Sequence, residues 1–500
     1  MGKMETGFRN ARVRTAQALP LGWRHLTEVD IEQVIAIVVE RSSSGADLVT
    51  LEACLLLWCG LVTGRHPTDL LAMTIRKVAK GSRLGNQPQG LIERSGKWGW
   101  WLRAAAPQDQ KSVRKQMNPT SPFVYLPATE MVAMLAEICV EKRNSTSAGR
   151  FHISGEPQPL FATGKRAIGE MSRMLAARNP AGIDRARRAT TTPEAVARWL
   201  PAELLGAPGG DIVPASVITG QLPSVARTAA HYGAVSHGGV IRRYEAAIRR
   251  VDALSHDDIP SDALVSHLGD KFTPTDTAVR HLIAQLTDGL ANAEHDAADR
   301  HLAMMRYTVA LLTFAFAHRG DSGSIPSLWA VHAETGLCWV ADKTIAGSQS
   351  RRMVWVCATA ARQLQLYDEH LGELQAGVSR AAAQIIADTR SGRSLPLFEL
   401  TPEGGVRKLN TSVASSEALK RWGLPKNAGR HWLRAKLVGR CSTESLHAFY
   451  GHGPVSDGSW DEMSALDPSA YRADLARVLD TVLAEIGWTA RSPAKTGAAA

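Results

Sequence analysis

The apolar positions of this chain fall repeatedly into helical spacing. From Leu26 to Arg41, residues Ile31, Val34, Ile35 and Val38 recur three and four apart, which predicts an amphipathic helix stopped by Ser42-Ser43-Ser44-Gly45. Ala46 to Val62 is almost wholly apolar, which predicts a buried helix running into Thr63-Gly64-Arg65. The same plan returns downstream. Thr275 to Leu290 carries Val279, Leu282, Ile283 and Leu286 on one face, and His301 to Ala317 is a largely apolar helix running into His318-Arg319-Gly320. Farther on, the stretch Ala197 to Leu204 (ARWLPAEL) parallels Arg430 to Leu437 (RHWLRAKL). Together these matches predict an internal duplication on the scale of whole domains.

Between Arg319 and the second of those stretches the period changes. Ser327 to His332, Leu337 to Ala341 and Met353 to Cys357 read as strands, with a Glu334-Thr335-Gly336 turn and a polar loop from Ala346 to Ser350. The last long helix, Ala470 to Gly487, has Leu475, Val478, Leu479, Val482, Leu483 and Ile486 as a stripe for the core or for an interface. Pro193 to Gly210 and Ser236 to Gly239 read as loops, and Ser255 to Asp262, with Pro260, as a linker. The expected fold is mainly α with a small antiparallel β-sheet, an α+β class. The expected order is a basic arm (1–26), a first repeat (27–250), a linker (251–273), a second repeat (274–488) and a disordered tail (489–500).

Composition narrows the partners. The chain has 500 residues, enough for about two to four domains. Its formal net charge of +10 favours a polyanionic partner, without separating nucleic acid from a membrane surface. The arm holds Lys3, Arg9, Arg12, Arg14 and Arg24, as either a polyanion contact or a solvated tail. Six cysteines without a CxxC pair predict reduced, buried thiols in a cytosolic protein. The basic N-terminus lacks the apolar core of a signal peptide, and the apolar run Ala53 to Val62 is too short to span a bilayer, so no membrane partner is expected.

The chemistry concentrates between Gly429 and Tyr471. His431 and Arg434, three apart, share a helix face; Lys436 and Arg440 add charge, and Leu433 and Leu437 supply an apolar stripe. His452 stands between Gly451 and Gly453, and Tyr471 opens the last helix. Arginine grips an oxyanion through a planar fork, histidine moves protons near neutral pH, and tyrosine can be a nucleophile. These residue types in so short a span predict an oxyanion site.

His431-Trp432-Leu433-Arg434 resembles the HxLR box of the tyrosine recombinases, the phage integrase family. Tyr450-Gly451-His452 resembles that family's LGH box, and Tyr471 stands where its nucleophile stands, with Tyr450 a competing tyrosine expected to pack. The string GHG…W…SALDPSAY is similar to a subgroup of large bacterial integrases with a longer run between histidine and tyrosine. Arg319 matches the first arginine box, though the family's glutamate three residues on is Ser322 here, with Asp321 one earlier. Lys343, in the string DK…RRMVWV, matches the family's hairpin lysine. The specific motifs fall within residues 300–488.

The resemblance implies a tyrosine-recombinase catalytic fold in two copies, the first degenerate. In that copy Arg198 stands for His431, Pro201 for Arg434 and Gln221 for His452, while Arg65 remains and Tyr232 follows. It implies a site-specific DNA recombinase that integrates or excises a mobile element through a 3′-phosphotyrosine. Arg319 and Arg434 would hold the non-bridging oxygens, and His431 and His452 would hydrogen-bond the phosphate. His431 would also accept the tyrosine proton, and Lys343 would protonate the leaving 5′ oxygen. No metal, ATP or other cofactor and no small-molecule substrate is implied. The implied partners are double-stranded DNA and either a tetramer of this chain or partner recombinases, in the nucleoid of a bacterial cytoplasm. The alternative is a catalytically silent integrase-fold subunit that binds DNA and assists a partner recombinase. A basic structural DNA-binding protein would leave the cluster unexplained, and a type IB topoisomerase fits the double-copy plan less well.

Overall fold

A helix that is apolar on every side has to be surrounded, and the chain does this twice. The computed structural model describes residues 26–493 except 44, 80–81, 83, 85–86, 106–115, 147–152, 154, 178–190, 208–209, 222–232, 253–266, 294–295, 321–322, 342–350, 452–458, 461–463 and 465. The fold is mainly helical with small sheets, and it divides into two units. The first comprises residues 1–108, 119–230 and 235–269, and the second 109–118, 231–234 and 270–500.

In the first unit, α1 (Glu28–Arg41) opens with a capping box between Thr27 and Asp30. The central helix α2 (Leu48–Thr63) starts on Asp47, whose side chain accepts from Thr50 N, and ends at Gly64 in the left-handed region. Every residue from Leu51 to Thr63 is buried. Around α2 pack α1, α3 (Glu130–Thr146), α4 (Lys165–Ala177) and α5 (Pro193–Gly206). Next come α6 (Ile212–Thr219) and α7 (His237–Ile248), both against α5. A five-stranded sheet, ordered β4-β3-β2-β1-β5, joins β1 (Thr74–Lys77), β2 (Gly90–Arg94), β3 (Lys97–Arg103), β4 (Phe123–Pro127) and β5 (Gln158–Pro159). Only its β1–β2 pair is parallel. Two short strands, β6 (Ala234–Ser236) and β7 (His267–Gly269), pair separately.

Glu52, fully buried within α2, is held by five donors. Arg143 binds it through Nε at 3.1 Å and through Nη2; Ala162 N, Thr163 N and Thr163 Oγ1 complete the set at 2.8, 2.7 and 2.6 Å. This carboxylate ties α2 to α3 and to the segment before α4.

In the second unit, α8 (Asp276–Asn292) is capped by Thr275, and the central helix α9 (Ala297–Ala315) is buried throughout from Tyr307 to Ala315. Around α9 pack α8, α10 (Ala358–Gly377), α12 (Thr411–Leu419) and α13 (Ala428–Leu437), while α11 (Arg380–Arg390) lies on α10. The hairpin of β8 (Leu337–Ala341) and β9 (Arg351–Trp355) pairs Trp339 with Met353, and β10 (Phe398–Leu400) pairs with β11 (Val406–Lys408). α14 (Thr443–Tyr450) and α15 (Pro468–Ile486) close the unit.

Several expectations need correction. The predicted loop Pro193 to Gly210 is α5 as far as Gly206: Thr192 caps it, Pro193 occupies the first turn, and Val196, Trp199, Leu200 and Leu204 turn one face into the core. Ser236 to Gly239 is the start of α7, where Ser236 accepts from Gly239 N at 3.2 Å. Ser327 to His332 is no strand: Leu328–Ala330 forms a 3-10 turn with Trp329 exposed. The expected disordered tail is fixed as far as it is described. Trp488 is buried, Tyr307 donates to Thr489 O at 2.6 Å, and the Gln363 amide exchanges two bonds with the Arg491 backbone. The stripe on α15 lies in the unit's own core. Residues 1–25 of the basic arm and the linker from Ser255 to Asp262 lie outside the described residues. Among the described residues no helix is long and apolar enough to cross a membrane. All six cysteines are buried thiols.

A buried histidine pair sits between α9, α10 and β10. His301 Nε2 faces Phe398 O at 3.1 Å, so that nitrogen carries the proton, and Nδ1 accepts from His370 Nε2 at 3.2 Å. Burial holds both rings neutral: His301 is lowered to about 3, with His370 adding to it, and His370 to about 4, with Arg300 adding to it. In the unfolded chain both groups titrate near pH ~6.5, so below that pH the unfolded state binds two protons that the folded state refuses. Stability of the second unit falls as pH drops from about 6.5 towards 4, by about 1.4 kcal/mol per pH unit for each group. Urea melts at pH 7.5 and 5.5 will show this, and His370→Phe will remove about half of the slope.

Removing the carboxylate at Glu52 strands the Arg143 guanidinium in the core. Glu52→Ala will lower the unfolding free energy of the first unit by roughly 3–5 kcal/mol, measured by urea denaturation.

Candidate functional site

The predicted boxes of the second half converge through their backbones. Helix α13 carries Arg430, His431 and Arg434, all buried. It reaches α9 closely because residue 429 is glycine: a Cβ there would lie 2.7 Å from both Phe314 Cα and Thr313 O. At the end of α9 the chain turns through Phe316 and Ala317, and Ala317 holds φ at +47°, a strained value for alanine. Two guanidiniums pin that turn. Arg430 Nη1 donates to Ala317 O at 3.0 Å, and Arg352 Nη2, from β9, donates to Phe316 O at 2.8 Å and Ala317 O at 3.1 Å.

The same two arginines hold the end of α14. Arg430 Nη2 donates to Tyr450 O at 2.6 Å, and Arg352 Nη1 donates to Phe449 O. Gly451 follows in the left-handed region (φ +61°), and a Cβ there would press on the Arg352 side chain at 3.3 Å. The arginine turn, the HWLR helix and the start of the Gly-His turn therefore share one small volume, although they are far apart in sequence.

Tyr450 packs, as expected of it. Its hydroxyl donates to Arg430 O at 3.0 Å, and the guanidiniums of Arg430 and Arg434 lie 4.9 and 5.7 Å from its ring centroid. Burial pushes its phenol well above the ordinary value, against the pull of Arg430, Arg434 and Arg352.

His431 has a partner that the sequence did not suggest. Its Nδ1 bonds Oδ2 of Asp270, a fully buried carboxylate. Phe272 N donates to Asp270 Oδ1 at 2.8 Å, Thr273 Oγ1 donates to Oδ2 at 3.0 Å, and the Phe272 ring lies 5.8 Å from the imidazole. Asp276 anchors the far end of α13, accepting from Trp432 Nε1 at 2.9 Å and Lys436 Nζ at 2.6 Å.

Of the predicted site residues, His431 and Arg434 lie side by side in the cluster, with Arg319 two residues beyond the pinned Ala317. Arg319 is half-buried, and its Nε makes no hydrogen bond among the described residues. Lys343 and His452 fall outside the described residues, as do Asp321 and Ser322. Tyr471 is turned onto the strand that carries Arg352. Its hydroxyl donates to Met353 O at 2.9 Å on β9, and Trp460 packs edge-on at 4.9 Å. It is 1% exposed, and burial raises its phenol far above the ordinary value, with Arg352 pulling the other way. In this arrangement Tyr471 is a protonated core residue. Among the described residues no group of three or more His, Cys, Asp or Glu could hold a metal ion.

Among the described residues of the first unit, Arg65 is the counterpart of this cluster. Arg65, next to the left-handed Gly64, donates to Arg103 O at 2.7 Å and Ile218 O at 3.3 Å through Nη2, and to Gln89 Oε1 at 3.3 Å through Nη1. Burial lowers it to about 10. Arg198 is exposed on α5, and Tyr232 lies outside the described residues.

Compared with known proteins, the chain matches no family model, no curated protein and no solved structure.

Two substitutions test this packing. Gly429→Ala forces α13 away from α9 and will cost roughly 1–3 kcal/mol in urea denaturation. Tyr471→Phe removes one hydrogen bond inside a preserved core and will cost about 0.5–1.5 kcal/mol.

Proposed function

We propose that the chain is a site-specific DNA recombinase. It would cut and rejoin double-stranded DNA through a 3′-phosphotyrosine, on a tyrosine-recombinase fold present twice, the first copy degenerate. One observation carries the reading: the arginine turn, the HWLR helix and the end of α14, where the Gly-His motif starts, meet at the carbonyls of Ala317 and Tyr450. Support for two copies comes from packing order. α2 is enclosed by α1, α3, α4 and α5, as α9 is by α8, α10, α12 and α13, and α6 and α14 each end in a left-handed glycine against a buried arginine.

On this reading Arg319 and Arg434 grip the non-bridging oxygens in the bidentate geometry that guanidinium suits. His431 and His452 hydrogen-bond the phosphate, and Lys343 protonates the 5′ oxygen. The phosphotyrosine conserves the energy of the broken phosphodiester for religation. Tyr471 has to leave Met353 O and the edge of Trp460 before it attacks, so entry of DNA displaces the first turn of α15. The partners are double-stranded DNA and further recombinase subunits, identical or not, in the bacterial nucleoid.

The burial of Tyr471 favours a second reading, in which the chain binds DNA as a non-cutting subunit beside a partner recombinase. Both readings entail DNA affinity that falls steeply with salt, so binding does not separate them. A nucleotide adduct does. On the first reading, mass spectrometry of rapidly denatured protein from DNA reactions finds an adduct on the Tyr471 peptide, absent in Tyr471→Phe. Arg434→Ala and Arg319→Ala each lower adduct formation by about 10²–10³-fold. DNA binding with no adduct at all would favour the second reading.

A further inference from the structure

We infer that Asp270 is a positioning residue for His431, and that the pair makes Nε2 of His431 the proton-accepting atom of the site. This rests on the strand-transfer reading above and adds a residue to it. Asp270 is fully buried, and both of its oxygens are occupied: Oδ1 by Phe272 N, Oδ2 by Thr273 Oγ1 and His431 Nδ1. Its own amide is fixed on Gly233 O at 2.9 Å. A carboxylate held this way only accepts, so His431 Nδ1 must be the donor. The imidazole is thereby locked in one tautomer and one orientation, with Phe272 beside its ring, and Nε2 is the basic nitrogen.

The placement on α13 makes this useful. Arg434 lies one turn beyond His431 on the same helix, so a phosphate gripped by Arg434 comes beside the imidazole. In the forward step the tyrosine oxygen bonds to phosphorus and its proton passes to Nε2. The bond from phosphorus to the 5′ oxygen breaks, its electron pair stays on that oxygen, and the oxygen takes a proton from Lys343. Religation runs the same transfers backwards. The developing imidazolium is stabilised by the Asp270 carboxylate.

The test pairs a spectroscopic readout with a chemical one. His431 is observed in protein labelled with ¹⁵N-histidine, its signals assigned by their loss in His431→Gln. The chemical probe is a random-sequence pool of DNA duplexes with 5′-bridging phosphorothiolates. Their thiolate leaves without a proton, so the readout isolates the His431 step from the lysine. In the wild type the Nδ1–H tautomer is expected. Asp270→Asn keeps the shape but offers an N–H to Nδ1, so the tautomer reverses to Nε2–H and adduct formation falls by about 10²–10⁴-fold. Asp270→Glu keeps the wild-type tautomer and recovers part of the rate, which also covers a failure of the asparagine variant to fold. An unchanged tautomer in Asp270→Asn overturns the inference, as does a reversed tautomer with an unchanged rate. If the wild type forms no adduct, the strand-transfer reading falls and the role of Asp270 with it. The tautomer data then still report whether the pair exists, so the two failures are distinguishable.

Discussion

A guanidinium withdrawn from water must find acceptors for its N–H groups, and the last carbonyls of a helix have no partners of their own. Arg352 and Arg430 solve both problems in one exchange. Their donors fall on Phe316 and Ala317 at the end of α9, and on Phe449 and Tyr450 at the end of α14. The carbonyl ends of these helices carry the negative pole of the backbone dipoles, which further suits a cation there. The strained Ala317 is held by this exchange, and the geometry on either side follows from it. Arg319 leaves the turn two residues later, Gly451 continues from Tyr450, and β9 and α13 are locked to the same point.

The first unit uses the same device with one arginine. Arg65 serves Ile218 at the end of α6 and Arg103 at the end of β3, and Gly220 lies against its guanidinium. Beside it His66 Nε2 lies 3.6 Å from the exposed carboxylate of Glu194, a surface pair unlike the buried Asp270–His431 pair. Burial lowers the affinity of Arg65 for its proton, in keeping with a side chain committed to backbone. In the second unit Arg434 and a histidine–carboxylate pair that is buried, Asp270 with His431, accompany the arginine motif.

Within the second unit, the two groups expected to exchange a proton are prepared in opposite ways. The imidazole of His431 is oriented by a buried carboxylate. The phenol of Tyr471 is held protonated, spending its hydrogen on the backbone of β9. Both sit on helices that pack against each other, α13 and α15, and the stripe that seats α15 is complete from Leu475 to Ile486. Tyr471 and the edge of Trp460 lie at the first turn of α15, ahead of that stripe. A displacement confined to that turn leaves the rest of the helix in its core.

The helices around both cores were legible in the sequence because burial on one face leaves a three-four period, and burial on all faces leaves an unbroken apolar run. α1, α2, α8 and α15 lie within about two residues of their predicted bounds, and so does β8, while α9 starts four residues earlier than predicted. The five-stranded sheet was not legible, because β3 (KWGWWLR) is covered on both sides and so shows no alternation. α5 was missed because Pro193 and Pro201 mimic a loop, although proline suits a first helical turn. Of the candidate site, the sequence determined the local pairs, His431 with Arg434 on one helix face and Gly451 at a helix end. Tertiary structure alone decided that Arg352 and Arg430 face carbonyls, that Tyr471 points into β9, and that Asp270 meets His431. Those contacts join residues remote in the chain, and a local period records which face of a helix is buried but never what it is buried against.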